Sequence, residues 1–367
     1  MDHKVDGNYI LTDFHSKNIS DNLTPKKLGY RFPAEFAPHS ATWLSWPHKE
    51  ASWPGKIKMI YPFYCQFIKE ISLSEKICVN VNDEEMKLFA IDCLQKNGVE
   101  LEQVEFFLHP TNDAWCRDHG PAFLINPSAQ DKKIIVDWNY NAWGGKYPPH
   151  DLDDIIPTLI GKQYNIPVYY PGIIMEGGSV DFNGDGTLIT STSCLLNPNR
   201  NPQFNQQQIE EYLMQFYGVD QILWVDEGIV GDDTDGHIDD TVRFFNEDSI
   251  LAVIEENKND ENYELLQKNL KQIKKMRLLN GKQLNITELP MPDELVFEDQ
   301  RLPASYANFY ITNTSVIVPL FKCRTDERAL QIIQDCFPER KVTGIDSTEI
   351  IWGLGSFHCL SQQEPAV

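Results

Sequence analysis

Residues 76–108 read KICVNVNDEEMKLFAIDCLQKNGVELEQVEFFL. The first seven, 76–82, are an apolar run of strand length. Residues 83–98 carry apolar positions at helical spacing, acidic residues in the first turn where they complement the helix dipole, and Gly98 placed to stop the helix. VEFFL (104–108) then returns as a strand. The same alternation recurs outward from here: a helix at 206–218 ended by Gly218, then the strand QILWV (221–225); SILAVI (249–254), then a helix at 261–276; SVIVPLF (315–321), then DERALQIIQDC (326–336). Strand–helix–strand units of this kind predict an α/β fold. They are unequal in length, which is compatible with a repeat architecture without demonstrating one.

Around this frame the chain is 367 residues long, 41% hydrophobic and 11% aromatic, the composition of a globular protein with a large core. Residues 1–29 are polar and weakly patterned and read as an N-terminal arm. From Tyr30 to Val367 no linker or low-complexity run interrupts the pattern, so 30–367 reads as one domain. The formal net charge is −22. So acidic a chain repels phosphate backbones and attracts cations, which disfavours nucleic acid and suits a small cationic substrate. No apolar stretch reaches the length of a membrane span, and the first residues lack a secretory pattern. The eight cysteines form no CxxC pair, so neither a zinc ribbon nor a redox motif is indicated, and several sit in apolar runs as small hydrophobes. A reducing, cytoplasmic setting is expected.

Four segments carry groups capable of chemistry. In DDTDGHIDD (232–240), His237 and Asp239 are two apart and would share a face of an extended strand, one moving protons and the other holding a cation; an acidic surface turn is the bland alternative. TNDAWCRDHGP (111–121) gathers Trp115, Arg117, Asp118 and His119 after an apolar strand, where α/β proteins build sites, although an Arg117–Asp118 ion pair at a turn reads equally well. MEGGSVDFNGDG (175–186) resembles the opening of a calcium loop, but Thr192 stands where the bidentate Glu belongs, and its flanks read as strands. A β-hairpin turn at Asn183–Gly186 is therefore expected. Glu176 precedes two glycines that would let a ligand approach the backbone closely. WGLGSFHCLSQQEP (352–365) carries His358–Cys359, with Gly353 and Gly355 suggesting another close approach. On a strand His358 would face away from Cys359.

Taken together, GYRFPAEFAPHSATWLSWP (29–47), WCRDHGP (115–121), WNYNAWGGKYPP (138–149), MEGGS (175–179), DGHIDD (235–240) and GSFHCLSQQEP (355–365) resemble the agmatine deiminase family of the guanidino-group-modifying pentein superfamily, which is related to bacterial-type peptidylarginine deiminases. The resemblance runs from about residue 29 almost to the end. It implies a β/α propeller of five ββαβ modules around a central site, and a homodimer. It assigns Cys359 as nucleophile, His237 and Asp239 as the His-x-Asp pair, and Asp118 as the motif carboxylate, with Trp115 and Glu176 lining the substrate pocket. His119 stands where the family usually has Thr, and Ser356–Phe357 replaces its usual pair before His-Cys.

The implied chemistry is deimination without metal or cofactor. Asp118 and Asp239 grip a guanidinium, Cys359 adds to its central carbon, and His237 shuttles protons. Agmatine is the leading substrate, since no Arg lies between Arg117 and Arg200 to bind a substrate carboxylate. Arginine or peptidyl-arginine is the runner-up. A catalytically silent binding protein has no need of Cys359, and a structural Cys359 with metal-binding acidic clusters lacks a ligand pattern.

Overall fold

Strand β1 (His39–Ser45) leads through helix α1 (Ile57–Ile71) to β2 (Lys76–Asn80), and α2 (Glu84–Lys96) carries the chain on to β3 (Val104–Phe107). The computed structural model describes residues 23–367; most of the expected arm, 1–22, lies outside the described residues. The start of α2 follows from its sequence: the Asp83 side chain accepts from Met86 N–H at 2.8 Å, with Glu84 and Glu85 in the first turn. Gly98, at φ +70°, supplies the left-handed residue just past the end.

After the short helix α3 (Cys116–His119), four sheets follow with one topology. They are β4 (Ala122–Ile125), β5 (Lys133–Val136) and β6 (Val168–Tyr169); β7 (Val180–Phe182), β8 (Thr187–Ser191) and β9 (Gln221–Val225); β10 (Val242–Asn246), β11 (Ser249–Ile254) and β12 (Asn285–Pro290). A two-stranded hairpin, β13 (Val296–Phe297) and β14 (Gln300–Arg301), precedes the last set, β15 (Tyr310–Ile311), β16 (Ser315–Leu320) and β17 (Lys341–Asp346). In each set the first two strands are antiparallel and the last two parallel. A parallel pair needs a crossover, here supplied by helices Ile156–Tyr164, Gln206–Tyr217, Asn262–Ile273 and Asp326–Cys336. The C-terminal strand β18 (Ser361–Pro365) pairs antiparallel with β1, which runs parallel to β2 across α1. The order ββαβ thus occurs five times, once assembled from both ends of the described chain.

Helix Gln206–Tyr217 shows why these crossovers stay in place. Asn205 and Gln208 form a capping box, and Ile209, Tyr212, Leu213, Phe216 and Tyr217 bury one stripe. Gly218 ends it at φ +71°, where any Cβ would collide with the Tyr30 carbonyl. The final residues of the expected arm dock nearby: Thr24 Oγ1 donates to Gln215 at 2.7 Å, and Lys26 pairs with Asp220 at 2.8 Å. Asn183–Gly186 is the expected hairpin turn between β7 and β8, with Asn183 Oδ1 accepting from Asp185 N–H and Thr187 N–H. No helix among the described residues is long and apolar enough to cross a membrane.

Candidate active site

Each ββαβ unit delivers one chemical segment just before its first strand. Asp118 precedes β4, Glu176 precedes β7, His237 and Asp239 precede β10, Asn308 precedes β15, and Cys359 precedes β18. His237 and Asp239 do not lie on a strand as their spacing suggested. Asp239 belongs to the 3-10 turn Ile238–Asp240, with His237 at its mouth, and the turn rather than a strand face aims both inward.

Asp118 is held by two donors, Gly178 N–H on Oδ1 and Trp143 Nε1–H on Oδ2, both at 2.9 Å. Arg117 does not pair with it; the guanidinium turns away to Glu35 at 3.2 Å and Gln363 at 2.6 Å. The groups converge over Gly178: a Cβ there would lie 2.6 Å from His237 Nδ1, 2.8 Å from Asp118 Oδ1 and 3.1 Å from Asp239 Oδ2. The glycines after Glu176 thus admit protein groups, not a ligand, and Gly177 does the same for the Arg117 carbonyl. His237 is 3.7 Å from Asp118 and 3.9 Å from Glu176, and neither ring nitrogen makes a hydrogen bond among the described residues. Burial works against its charge, but Asp118, Cys194 and Glu176 raise it well above its ordinary 6.5. Burial in turn raises the Asp118 carboxyl, with Asp239 and Glu176 adding to the effect.

Cys359 Sγ accepts from Asn308 Nδ2 at 3.0 Å and lies 3.6 Å from Asp239 Oδ2. Burial and the carboxylates of Asp239, Asp240 and Asp118 push this thiol well above its ordinary 9.0. Residues 357–360 form a turn, so His358 does not face away as on a strand. Its Nδ1 is 2.6 Å from Asp239 Oδ2 and its Nε2 2.7 Å from Glu35 Oε2. Burial alone would raise Asp239, but His358, His237 and Arg243 hold it below its usual range. One oxygen of Asp239 is therefore fixed by His358, while Oδ1 is buried with no partner among the described residues and is available to a donor.

Glu176 does not line the pocket. It is completely buried, accepts from Arg200 Nε at 2.7 Å, and stands behind His237. Burial would raise its carboxyl, yet Arg200 and His237 keep it lowered. Glu176, Cys194 and His237 bring one donor atom each within 4.8 Å of one another, a set that could hold a metal ion. Arg200 already supplies positive charge to Glu176 there, so the cluster is not short of a cation.

In front of these groups lies a cavity of about 320 Å³. Cys359, Asp118 and Trp115 line it; Asp239 Oδ2 lies 3.6 Å from the Cys359 sulfur and His237 Nδ1 3.7 Å from Asp118 Oδ1. Trp115 stacks on Trp53, ring centroids 5.1 Å apart, and its ring is what closely approaches Gly353 and Gly355. Sequence reasoning missed Asn308, which lies outside every quoted motif. It also missed Trp143 and Glu35, although both lie within stretches that carry the resemblance.

The model of the Porphyromonas-type peptidyl-arginine deiminase family matches residues 31–365. A Legionella pneumophila relative, provisionally named an agmatine deiminase, is 35% identical and covers 94% of this chain and 97% of its own. The solved agmatine deiminase of Enterococcus faecalis is 32% identical with a TM-score of 0.87, covering 94% of this chain and 98% of that one. A C. jejuni agmatine deiminase variant with substrate bound is 33% identical with a TM-score of 0.82, covering 91% and 96%. With the family model spanning nearly every described residue and these relatives matched over nearly their full lengths, this chain belongs to the Porphyromonas-type peptidyl-arginine deiminase family.

Proposed function

We propose that this protein is an agmatine deiminase, hydrolysing the guanidinium of agmatine to N-carbamoylputrescine and ammonia. The observation that carries the choice of substrate is the charge of the cavity: among the described residues, Asp113, Asp118, Asp233 and Glu298 line it against a single cation, Lys49, itself paired with Asp113 at 3.4 Å. Such a lining favours a substrate with two positive charges and no carboxylate.

In this reading Asp118 and Asp239 grip the guanidinium N–H groups and hold the central carbon against Cys359 Sγ. The incoming cation offsets the carboxylates that disfavour the thiolate, so the nucleophile forms chiefly in the substrate complex. Its sulfur adds to the carbon, and the tetrahedral adduct collapses as His237 gives a proton to the departing nitrogen, releasing ammonia. His237 then takes a proton from water, whose oxygen adds to the amidino-cysteine carbon. Collapse of this second adduct expels Cys359 and leaves the ureido product. Glu176 steadies His237 from behind. The chemistry requires no metal or cofactor.

The same reading takes residues 30–367 as one catalytic domain whose five units surround the site as a β/α propeller. It also takes the enzyme as a homodimer in a reducing cytoplasm. The second reading, deimination of arginine or peptidyl-arginine, draws support from Lys49, the cationic lining group among the described residues, which could meet a carboxylate. Comparing agmatine, free arginine and peptides ending in arginine decides between them. Turnover of agmatine well above the others supports the proposal, and turnover of the peptides alone would sink it.

A further inference from the structure

Cysteines 28 positions apart in sequence meet where α1 packs on α2: Cys65 Sγ and Cys93 Sγ are 3.6 Å apart. Cys65 is completely buried, while Cys93 is partly exposed and within reach of solutes. This contact sets the pair apart from the other thiols. Cys359 sulfur faces Asn308 and Asp239, and Cys323 sulfur faces the carbonyls of Asp293 and Phe321. We infer that Cys65 and Cys93 are a reversible dithiol oxidation site, closing to a disulfide at the expense of a small-molecule disulfide.

The two thiols are chemically unequal, as such a step requires. The hydrogen bond between them lowers Cys93 below its ordinary 9.0, with Lys96 assisting, and leaves Cys65 holding its proton. Cys93 thiolate attacks one sulfur of the small disulfide, forming a mixed disulfide and releasing one small thiolate. With the charge on Cys93 gone, Cys65 gives its proton to the small thiolate just released and attacks Cys93 Sγ, expelling the second small thiolate, which takes up the proton Cys93 had given to solvent. Two protein thiols and one small disulfide become one protein disulfide and two small thiols. The sulfurs must close from 3.6 Å to a bond length of about 2.0 Å. Cys359 takes no part, so the nucleophile stays free while the pair is oxidised.

The test exposes the full chain to oxidised glutathione, quenches with N-ethylmaleimide under denaturing conditions, and reads intact mass and a tryptic map. The expected result is a parent chain carrying six N-ethylmaleimide groups where the fully reduced chain carries eight, with segments 59–69 and 88–96 cross-linked and the link reversed by dithiothreitol. Cys65→Ser should stop at a stable mixed disulfide on Cys93, and Cys93→Ser, at a partly exposed position, should show neither product. A parent chain with both cysteines alkylated, or with glutathione held stably on Cys93, would overturn the inference. The readout is a mass, so it stands whether or not agmatine is the substrate.

Discussion

Cys359 sits among Asp118, Asp239 and Asp240, an unusual place for a group that must become an anion. The arrangement makes sense where the substrate supplies the missing positive charge. Two predictions follow at this scale. In the free protein, Cys359 alkylation by neutral iodoacetamide should still be accelerating as pH passes 9, the ordinary thiol value, because its own is raised. Turnover at saturating agmatine should level off at lower pH. Asp239→Asn should then separate two properties that usually move together: alkylation of Cys359 shifts to lower pH because a raising charge is gone, while kcat/KM falls about 100- to 1000-fold. Equal pH profiles of alkylation for Asp239→Asn and the parent would count against this electrostatic account.

The elements were readable wherever local chemistry decides them. DERALQIIQDC was expected as a helix and is one, Asp326–Cys336, and Gly98 and Gly218 stop the two helices they were expected to stop. Legibility failed where long-range contacts bend short segments. DGHIDD follows the two-residue period of a strand, yet three inward-facing polar groups crowd Gly178 and pull it into a 3-10 turn. His358 likewise sits in a turn because its ring spans Glu35 and Asp239, the former 323 residues away, a partnership no local pattern encodes. Cys65 and Cys93 escaped notice for the same reason, since helix packing rather than spacing joins them. Where local chemistry does rule, it is testable: Asn205→Ala breaks the capping box of helix Gln206–Tyr217 and should cost about 1 kcal/mol in urea denaturation. Because Asn205 lies outside the site, kcat should be unchanged.

Across the whole molecule, one buried charge cluster joins the first segment of the sheet framework to the last. Glu35 accepts from Arg117 at 3.2 Å, pairs with Arg243 at 3.0 Å and His358 at 2.7 Å, and also takes Ile311 N–H. Burial would raise its carboxyl, but Arg243, His358 and Arg117 hold it well below 4.5. A lowered carboxyl contributes stability that is present above its unfolded value and lost as pH falls through the folded one. Glu35→Gln should therefore cost about 3–5 kcal/mol at neutral pH by stranding buried cations. Its deficit against the parent should shrink below pH 4.5, as denaturation across that range would show. The five repeated units explain why so distant a set of side chains meets: each presents its segment at the start of its first strand, and the site is complete only when β18 returns to β1. The central claim is that this meeting place performs cysteine-dependent deimination, and it is tested most directly by following ammonia and N-carbamoylputrescine released from agmatine by the parent and by Cys359→Ser. Equal amounts of both products from the parent and none from the variant are predicted; release by a correctly folded Cys359→Ser, or none from the parent, would contradict the account.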